Sequence, residues 1–328
     1  MTTQLVPLPL GVFPSAPAES ADAIRAPLDA YLSRLGGPES RRVMLSSLNT
    51  IARAISGGTR DAASFPWAVL RYPHTAAIRA WLNERASPAT ASRDRCALRG
   101  ILGECWRLGL LVGDDYRRAV DLAPIRGTAL PRGRVLDHGE LRALFAACAA
   151  DPVRPRGARN ACALALLYGC GLRRAEAVAV DLVDADPESG TVTVRLGKGR
   201  RARLVYLPAG GRAALGAWLA FRGGDPGPLL HPIRKGGGSN AIEPRRLSPQ
   251  ALAGMLDKVA GSAHLAEPAS PHDLRRTFVS DLLDMGADLS AAQQLAGHSS
   301  PATTARYDRR GERAKQRAAQ MLHVPFGG

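Results

Sequence analysis

The chain has 328 residues, 45% of them hydrophobic and 22% charged. That is an ordinary globular composition, long enough for two hydrophobic cores. Its formal net charge is +15, from 44 basic residues against 29 acidic ones, and the basic residues are arginine apart from Lys198, Lys235, Lys258 and Lys315. An excess of this size attracts polyanions, nucleic acid first and an anionic membrane second, because each neutralised phosphate releases counterions. No run of about 18 apolar residues occurs, which leaves no candidate membrane span. The N-terminus lacks the basic-then-apolar order of a secretory signal. Cys96, Cys105, Cys148, Cys162 and Cys170 form no Cys-x-x-Cys pair. They read as reduced, buried small hydrophobes of a cytoplasmic protein. No His/Cys cluster has metal-ligand spacing, so neither a metal nor a cofactor is expected.

In chain order, residues 1–19 read as a flexible tail rich in Pro and small side chains. Ser20 is placed to cap a helix running to about Leu35, with Ile24, Leu28 and Leu32 on one face; Pro27 predicts a kink there or a later start. Further helices are expected at Arg41–Ile55, Thr75–Arg85 and Thr90–Leu108. Four helices with mostly short loops make residues 20–121 a small bundle. Residues 122–136 carry Pro, Gly and Arg without amphipathic period and read as a linker. Asp137 followed by Glu140 is a capping-box start for a helix to Ala149, and another helix is expected at Ala158–Tyr168. Thr191–Arg195 and Ala202–Leu207 alternate as two strands around the turn Gly197-Lys198-Gly199-Arg200, giving a β-hairpin with a basic tip. A helix at Gly210–Phe221 precedes a Pro/Gly-rich loop from Asp225 to Arg246. Ser248-Pro249 opens the next helix, and helices follow at Pro271–Met285, Leu289–Ala296 and Glu312–Leu322.

The second half also holds a set of groups suited to phosphate. These are Arg173 in Gly171-Leu-Arg-Arg-Ala-Glu176, Lys198 at the hairpin tip, His272 and Arg275 in His-Asp-Leu-Arg, His298 in Gly-His-Ser-Ser, and Tyr307 nine positions later. In this order and spacing the blocks resemble the tyrosine recombinase (phage integrase, Xer-like) family, over roughly Asp137 to Arg310. The resemblance implies a mainly α fold: an N-terminal helical core-binding domain (20–121), the linker, and a mostly helical catalytic domain with a small antiparallel sheet (137–328). The two domains would clamp duplex DNA from opposite sides. It also implies a catalytic set of Arg173, Lys198, His272, Arg275, His298 and Tyr307. Ala296 stands where the family's block has leucine, and Arg276 where it often has histidine.

These residue types suit the reaction on chemical grounds as well. Attack on a phosphodiester builds negative charge on non-bridging oxygens, and paired guanidinium forks match that charge. His272 and Arg275 lie three apart, on one helix face. Tyrosine is a weak nucleophile near its ordinary pKa of about 10, nearby cations favour its phenolate, and His272 is placed to accept its proton. Lys198, preferred to Lys235 for its hairpin context, is the choice for protonating the departing 5′ oxygen. A 3′-phosphotyrosine keeps the bond energy for resealing, so no ATP is required.

Glu176 reads as an ion-pair partner that orients Arg173. Arg200, Arg201 and Arg203 read as DNA-backbone contacts, and Arg93, Arg95 and Arg99 of the bundle as candidates for touching DNA. His74, His138, His231, His264 and His323, and the tyrosines other than Tyr307, read as ordinary packing. The resemblance further implies a homotetramer on paired sites, with the segment after Tyr307 docking on a neighbour through Leu322, Val324 and Phe326. A second recombinase or an accessory protein is a further candidate partner. The alternatives weighed are a DNA topoisomerase of related chemistry and a non-catalytic DNA-binding regulator of the same fold.

Overall fold

The computed structural model describes residues 20–125, 127, 133–195, 202–234, 242–298, 300 and 304. It divides into two compact units, Met1–Arg132 and Gly133–Gly328.

The first unit is helical. α1 (Ala21–Ser33) starts where Ser20 accepts a hydrogen bond from the Ala23 N–H. Pro27 lies inside this helix and is buried beside Leu28 and Tyr31. The helix starts early rather than after the proline because burial there offsets the lost backbone bond. α2 (Pro38–Ile55), α3 (Tyr72–Arg85) and α4 (Pro88–Arg107) each carry a proline in the first turn, where its missing N–H costs nothing. Leu48, Ile51, Ile78, Leu82, Leu98, Ile101 and Leu102 close the core with Trp67, whose indole N–H donates to the Ala62 carbonyl. A fifth helix, α5 (Gly113–Val120), is one that the apolar pattern does not predict, since only Ala119 of it is buried. Its signal is electrostatic: Asp114 and Asp115 in the first turn, Arg117 and Arg118 in the last, as the helix dipole favours.

The second unit opens with α6 (His138–Ala149), whose capping box is the expected one: Asp137 accepts from the Glu140 N–H, and Glu140 accepts from the Asp137 N–H. α7 (Arg154–Leu164) passes into a π-helical segment, Ala165–Gly169, close to the end the sequence predicts for this helix. A short α8 (Arg174–Ala179), absent from the sequence reading, follows. β1 (Thr191–Val194) and β2 (Arg203–Tyr206) pair antiparallel, with Thr191 opposite Tyr206 and Val194 opposite Arg203. The hairpin's connecting turn, 196–201, lies outside the described residues. α9 (Ala209–Arg222), α10 (Pro249–Ser262, capped by Ser248), α11 (Pro271–Asp284, capped by Ser270) and α12 (Leu289–Ala296, capped by Asp288) follow among the described residues. Leu144, Leu164, Leu166, Val192, Val205, Trp218 and Leu256 are fully buried in its core.

The fold is thus mainly α with one small antiparallel sheet. No described helix is long and apolar enough to cross a membrane. One cysteine departs from expectation. Cys105, Cys148, Cys162 and Cys170 are buried, but Cys96 is exposed, because it falls on the outward face of α4 between buried Arg95 and Ala97.

Candidate active site

The site is built around the C-terminal end of α12. A helix ends with backbone carbonyls that lack intrahelical partners and carry the negative end of the dipole. Here three consecutive ones are each met by an arginine from elsewhere. Arg203 Nε donates to Leu295 O at 3.1 Å, Arg275 Nη2 donates to Ala296 O, and Arg173 Nη2 donates to Gly297 O at 2.8 Å. Arg275 Nη1 also donates to Gly171 O at 2.6 Å. These arginines come from the start of α8, from β2 and from α11. Arg173 and Arg203 lie 124 and 92 residues in sequence from the carbonyls they meet, so only the tertiary fold joins them.

Glu176 holds the three guanidinium groups together. Its carboxylate accepts from Arg173 Nη1 at 2.7 Å and from the Arg173 N–H at 2.9 Å. It accepts from both Nη atoms of Arg203, at 3.1 and 2.8 Å, and Arg275 Nη1 stands 3.9 Å away. Burial raises the carboxyl pKa, but the hydrogen bonds and charges of Arg203 and Arg173 outweigh it, leaving Glu176 down at about 2. Its expected pairing with Arg173 is present, and a larger one with Arg203 is added. Three guanidinium groups against one carboxylate leave a net positive excess in the cluster.

Gly297 makes the arrangement possible. Its φ of 63° is left-handed, and a Cβ there would stand 2.8 Å from Arg203 Cζ. Gly171, at φ 61°, similarly has no room for a side chain: a Cβ would stand 2.2 Å from the Phe278 ring.

The two histidines flank this cluster. His298 follows the left-handed glycine, and its Nδ1 lies 2.9 Å from the hydroxyl of buried Thr304. Desolvation, then the charges of Arg275 and Arg173, push its pKa down to about 4. His272 is exposed in the first turn of α11, ahead of buried Asp273 and Leu274. Partial desolvation of its ring and the charge of Arg275 lower its pKa below the ordinary value. Both shifts favour the neutral imidazole, most strongly at His298.

Arg173, His272, Arg275 and His298 are brought together, as the motif order implies. Lys198, its rival Lys235 and Tyr307 lie outside the described residues, as do the expected helix Glu312–Leu322 and the apolar residues Leu322, Val324 and Phe326. Arg203 corrects the sequence reading. The basic run places it on DNA, yet its side chain is only 13% exposed and is spent on Glu176 and Leu295 O. The only hint is strand alternation, which a basic residue beside a basic turn obscures. Arg276 donates to Gly133 O at 2.7 Å and serves the entry of the unit. Among the bundle arginines, Arg93 is engaged by Asp94 and Ser47, whereas Arg95 is buried. His231 is buried and bonded to the Arg245 carbonyl, an ordinary packing histidine.

A sequence profile described as the phage integrase family matches residues 134–313. Tyrosine recombinase XerD of Caulobacter vibrioides is 38% identical over 232 residues, which is 67% of this chain and 70% of that protein. Tyrosine recombinase XerC of Chromohalobacter salexigens is 31% identical over 296 residues, 87% of this chain and 91% of that protein. Among solved structures, XerH site-specific recombinase bound to palindromic difH substrate superposes with a TM-score of 0.61 at 19% identity, over 92% of this chain and 94% of that one. The Tn1549 transposon integrase in complex with transposon right end DNA gives 0.66 at 15% identity, over 91% and 99%. At such identities the two structures show a shared fold. The chain belongs to the phage integrase family: it is a tyrosine recombinase, an enzyme of site-specific DNA recombination.

Proposed function

We propose that the chain cuts and rejoins duplex DNA through a transient 3′-phosphotyrosine at Tyr307. The observation that carries this reading is the three-arginine cluster on the end of α12, flanked by His272 and His298. In it Arg173, with about a third of its side chain exposed, offers a guanidinium edge to a non-bridging phosphate oxygen. Arg275, 4% exposed, lies beneath and adds charge. Its direct contact with the phosphate requires exchange of one carbonyl bond for a phosphate oxygen. His298 donates a further hydrogen bond once the phosphate raises its pKa. His272 takes the Tyr307 proton, the phenolate attacks phosphorus, and Lys198 protonates the 5′ oxygen that leaves. Fixed charge of this kind is usually the largest catalytic contribution.

The named DNA complexes of structural neighbours support duplex DNA as the partner. We further propose a homotetramer on two paired sites, with Leu322, Val324 and Phe326 docking on a neighbouring protomer and a second recombinase or accessory protein joining in some settings. Its place of action is the bacterial cytoplasm, where the DNA lies. The domain roles follow the same reading: residues 20–121 bind the core site, 122–136 link, and 137–328 carry the chemistry.

The test is a nicked duplex carrying the recognition site, mapped beforehand by footprinting, that traps the covalent adduct. Wild type gives a slow band on a denaturing gel, and Tyr307→Phe binds the duplex but gives no band. A band of undiminished intensity from Tyr307→Phe would contradict the assignment.

A further inference from the structure

Arg203 belongs to the cluster at the end of α12 but is held differently from its two neighbours. Along β2 the exposed side chains are Leu204 and Tyr206, so Arg203 shares the inward face with buried Val205. All three of its side-chain nitrogens are engaged within the protein. Nη1 and Nη2 grip both oxygens of Glu176 as a fork, and Nε holds Leu295 O. The guanidinium therefore ties β2 to α8 and to the end of α12. With its side chain 13% exposed, it presents little to a ligand.

The charges explain why an arginine stands there. Apolar side chains serve equally well as a tie on an inward strand face, and replacing a buried ion pair by them is often neutral or stabilising. Glu176, however, also accepts from Arg173 Nη1 and stands 3.9 Å from Arg275 Nη1. Burial raises its carboxyl pKa, and the hydrogen bonds of Arg203 are the largest influence opposing that, ahead of those of Arg173. One carboxylate balances one cation. Forked by Arg203, Glu176 is neutralised, and two positive charges remain beside it. Two suit a phosphodiester whose charge grows from one towards two during attack. Without Arg203, the carboxylate turns its full charge on Arg173 and Arg275 instead.

We propose that Arg203 is a positioning residue for strand cleavage: as the counter-ion of Glu176 it keeps the charge of Arg173 and Arg275 for the phosphate under attack. The inference rests on the reading that these two arginines meet that phosphate. It adds a residue that touches neither the DNA nor the nucleophile and acts through Glu176. Removing its charge slows the chemical step and leaves duplex binding as it is.

The experiment measures, for the full chain, the single-turnover rate of adduct formation on a saturating nicked duplex and, separately, the Kd for that duplex across a salt series. R203Q keeps a hydrogen-bond donor and removes the charge, whereas R203K keeps the charge and removes the fork. The rate is expected to fall about 10–100-fold in R203Q, short of the loss typical of a donor that meets the reacting oxygen. Kd and its salt dependence stay unchanged, because no phosphate contact is lost. R203K is expected to retain most of the rate. R203Q/E176Q, in which no carboxylate remains to be balanced, is expected to regain rate over R203Q. A purely structural role predicts the reverse: R203K falls as far as R203Q, and the double variant loses more. Either result overturns the proposal, as does a rise in Kd large enough to account for the lost rate, since Arg203 would then hold DNA. If R203Q fails to fold, judged by its thermal melt, R203K decides: a rate near that of wild type supports the proposal, and a loss as large as that expected of R203Q overturns it. Tyr307→Phe is run alongside. An adduct that survives in it refutes the nucleophile and leaves the Arg203 comparison standing. If wild type gives no adduct, the covalent reading fails, and calorimetric affinity for orthovanadate, an oxyanion of phosphate shape, decides for Arg203. Affinity weakened in R203Q and regained in R203Q/E176Q supports the proposal, and equal affinity in all three proteins overturns it.

Discussion

Single residues set the electrostatics of the site. His298 has its pKa pushed down to about 4, so it is neutral at pH 7 in the free protein. A DNA phosphate favours its charged form, and DNA binding then takes up protons. Affinity is expected to rise as pH falls from about 7 towards about 5.5, with uptake measured calorimetrically in buffers of different ionisation enthalpy. His298→Gln reduces that uptake, and equal uptake in the variant argues against the assignment. The same shift bears on stability in the opposite sense. A histidine whose folded pKa is depressed contributes fully above its unfolded value near 6.5, and loses that contribution as pH falls towards about 4. Glu176, held at about 2, keeps its contribution above about 4.5 and loses it between there and about 2. Urea midpoints are therefore expected to fall in two stages on acidification, and a flat profile between about pH 7 and 5 contradicts the histidine stage.

Gly297 is the other residue-scale constraint. Gly297→Ala forces a side chain into the left-handed region and against the Arg203 guanidinium. The expected loss is about 1–2 kcal/mol from the backbone alone, read as a lower denaturation midpoint, with weaker covalent-adduct formation as Arg203 is displaced. Unchanged stability would show that the helix end relaxes freely.

At the scale of elements, the entry of the second unit is tied to the helix that carries His272 and Arg275. Arg276 of α11 donates to Gly133 O, the Arg134 N–H donates to Asp273 Oδ1 at 2.9 Å, and the Leu136 N–H donates to Thr277 Oγ1 at 2.9 Å. Thr277 is fully buried. Thr277→Val removes the acceptor and leaves the Leu136 N–H unpaired, at an expected cost of about 1–3 kcal/mol. Chemical denaturation measures it, and a cost near zero means that the 133–136 segment is not fixed by this bond.

Elements are legible in the sequence where a local signal sets them. Ser20, Asp137 with Glu140, and Ser248-Pro249 mark helix starts because capping chemistry involves neighbours in sequence. Strand alternation marks β1 and β2. α5 escapes because only Ala119 of it is buried, and α8 because six residues are too few for an apolar period to show. The catalytic candidates are readable as an ordered set of motifs. Their support is not: Arg203 reaches Glu176 and α12 only through tertiary packing, and Arg95 is buried on a helix whose arginines look alike in sequence.

At the scale of the whole molecule, the proposed reaction needs protomers on paired DNA sites. Removing residues 311–328 is expected to abolish stable assembly on paired sites, measured by sedimentation, while single-site binding by the remaining chain persists. Unchanged assembly would show that protomers associate through other surfaces. The net charge of +15 supplies the attraction to DNA at this scale, so binding to any duplex is expected to weaken steeply with salt.

The proposed chemistry turns on a bond between the Tyr307 oxygen and a DNA 3′ phosphate. Trapping the adduct on a nicked site, digesting both partners and identifying the modified peptide by mass spectrometry tests it most directly. The expected product is a nucleotide attached through its 3′ phosphate to the peptide containing Tyr307. Attachment to another side chain, or a 5′-phosphate linkage, would contradict it.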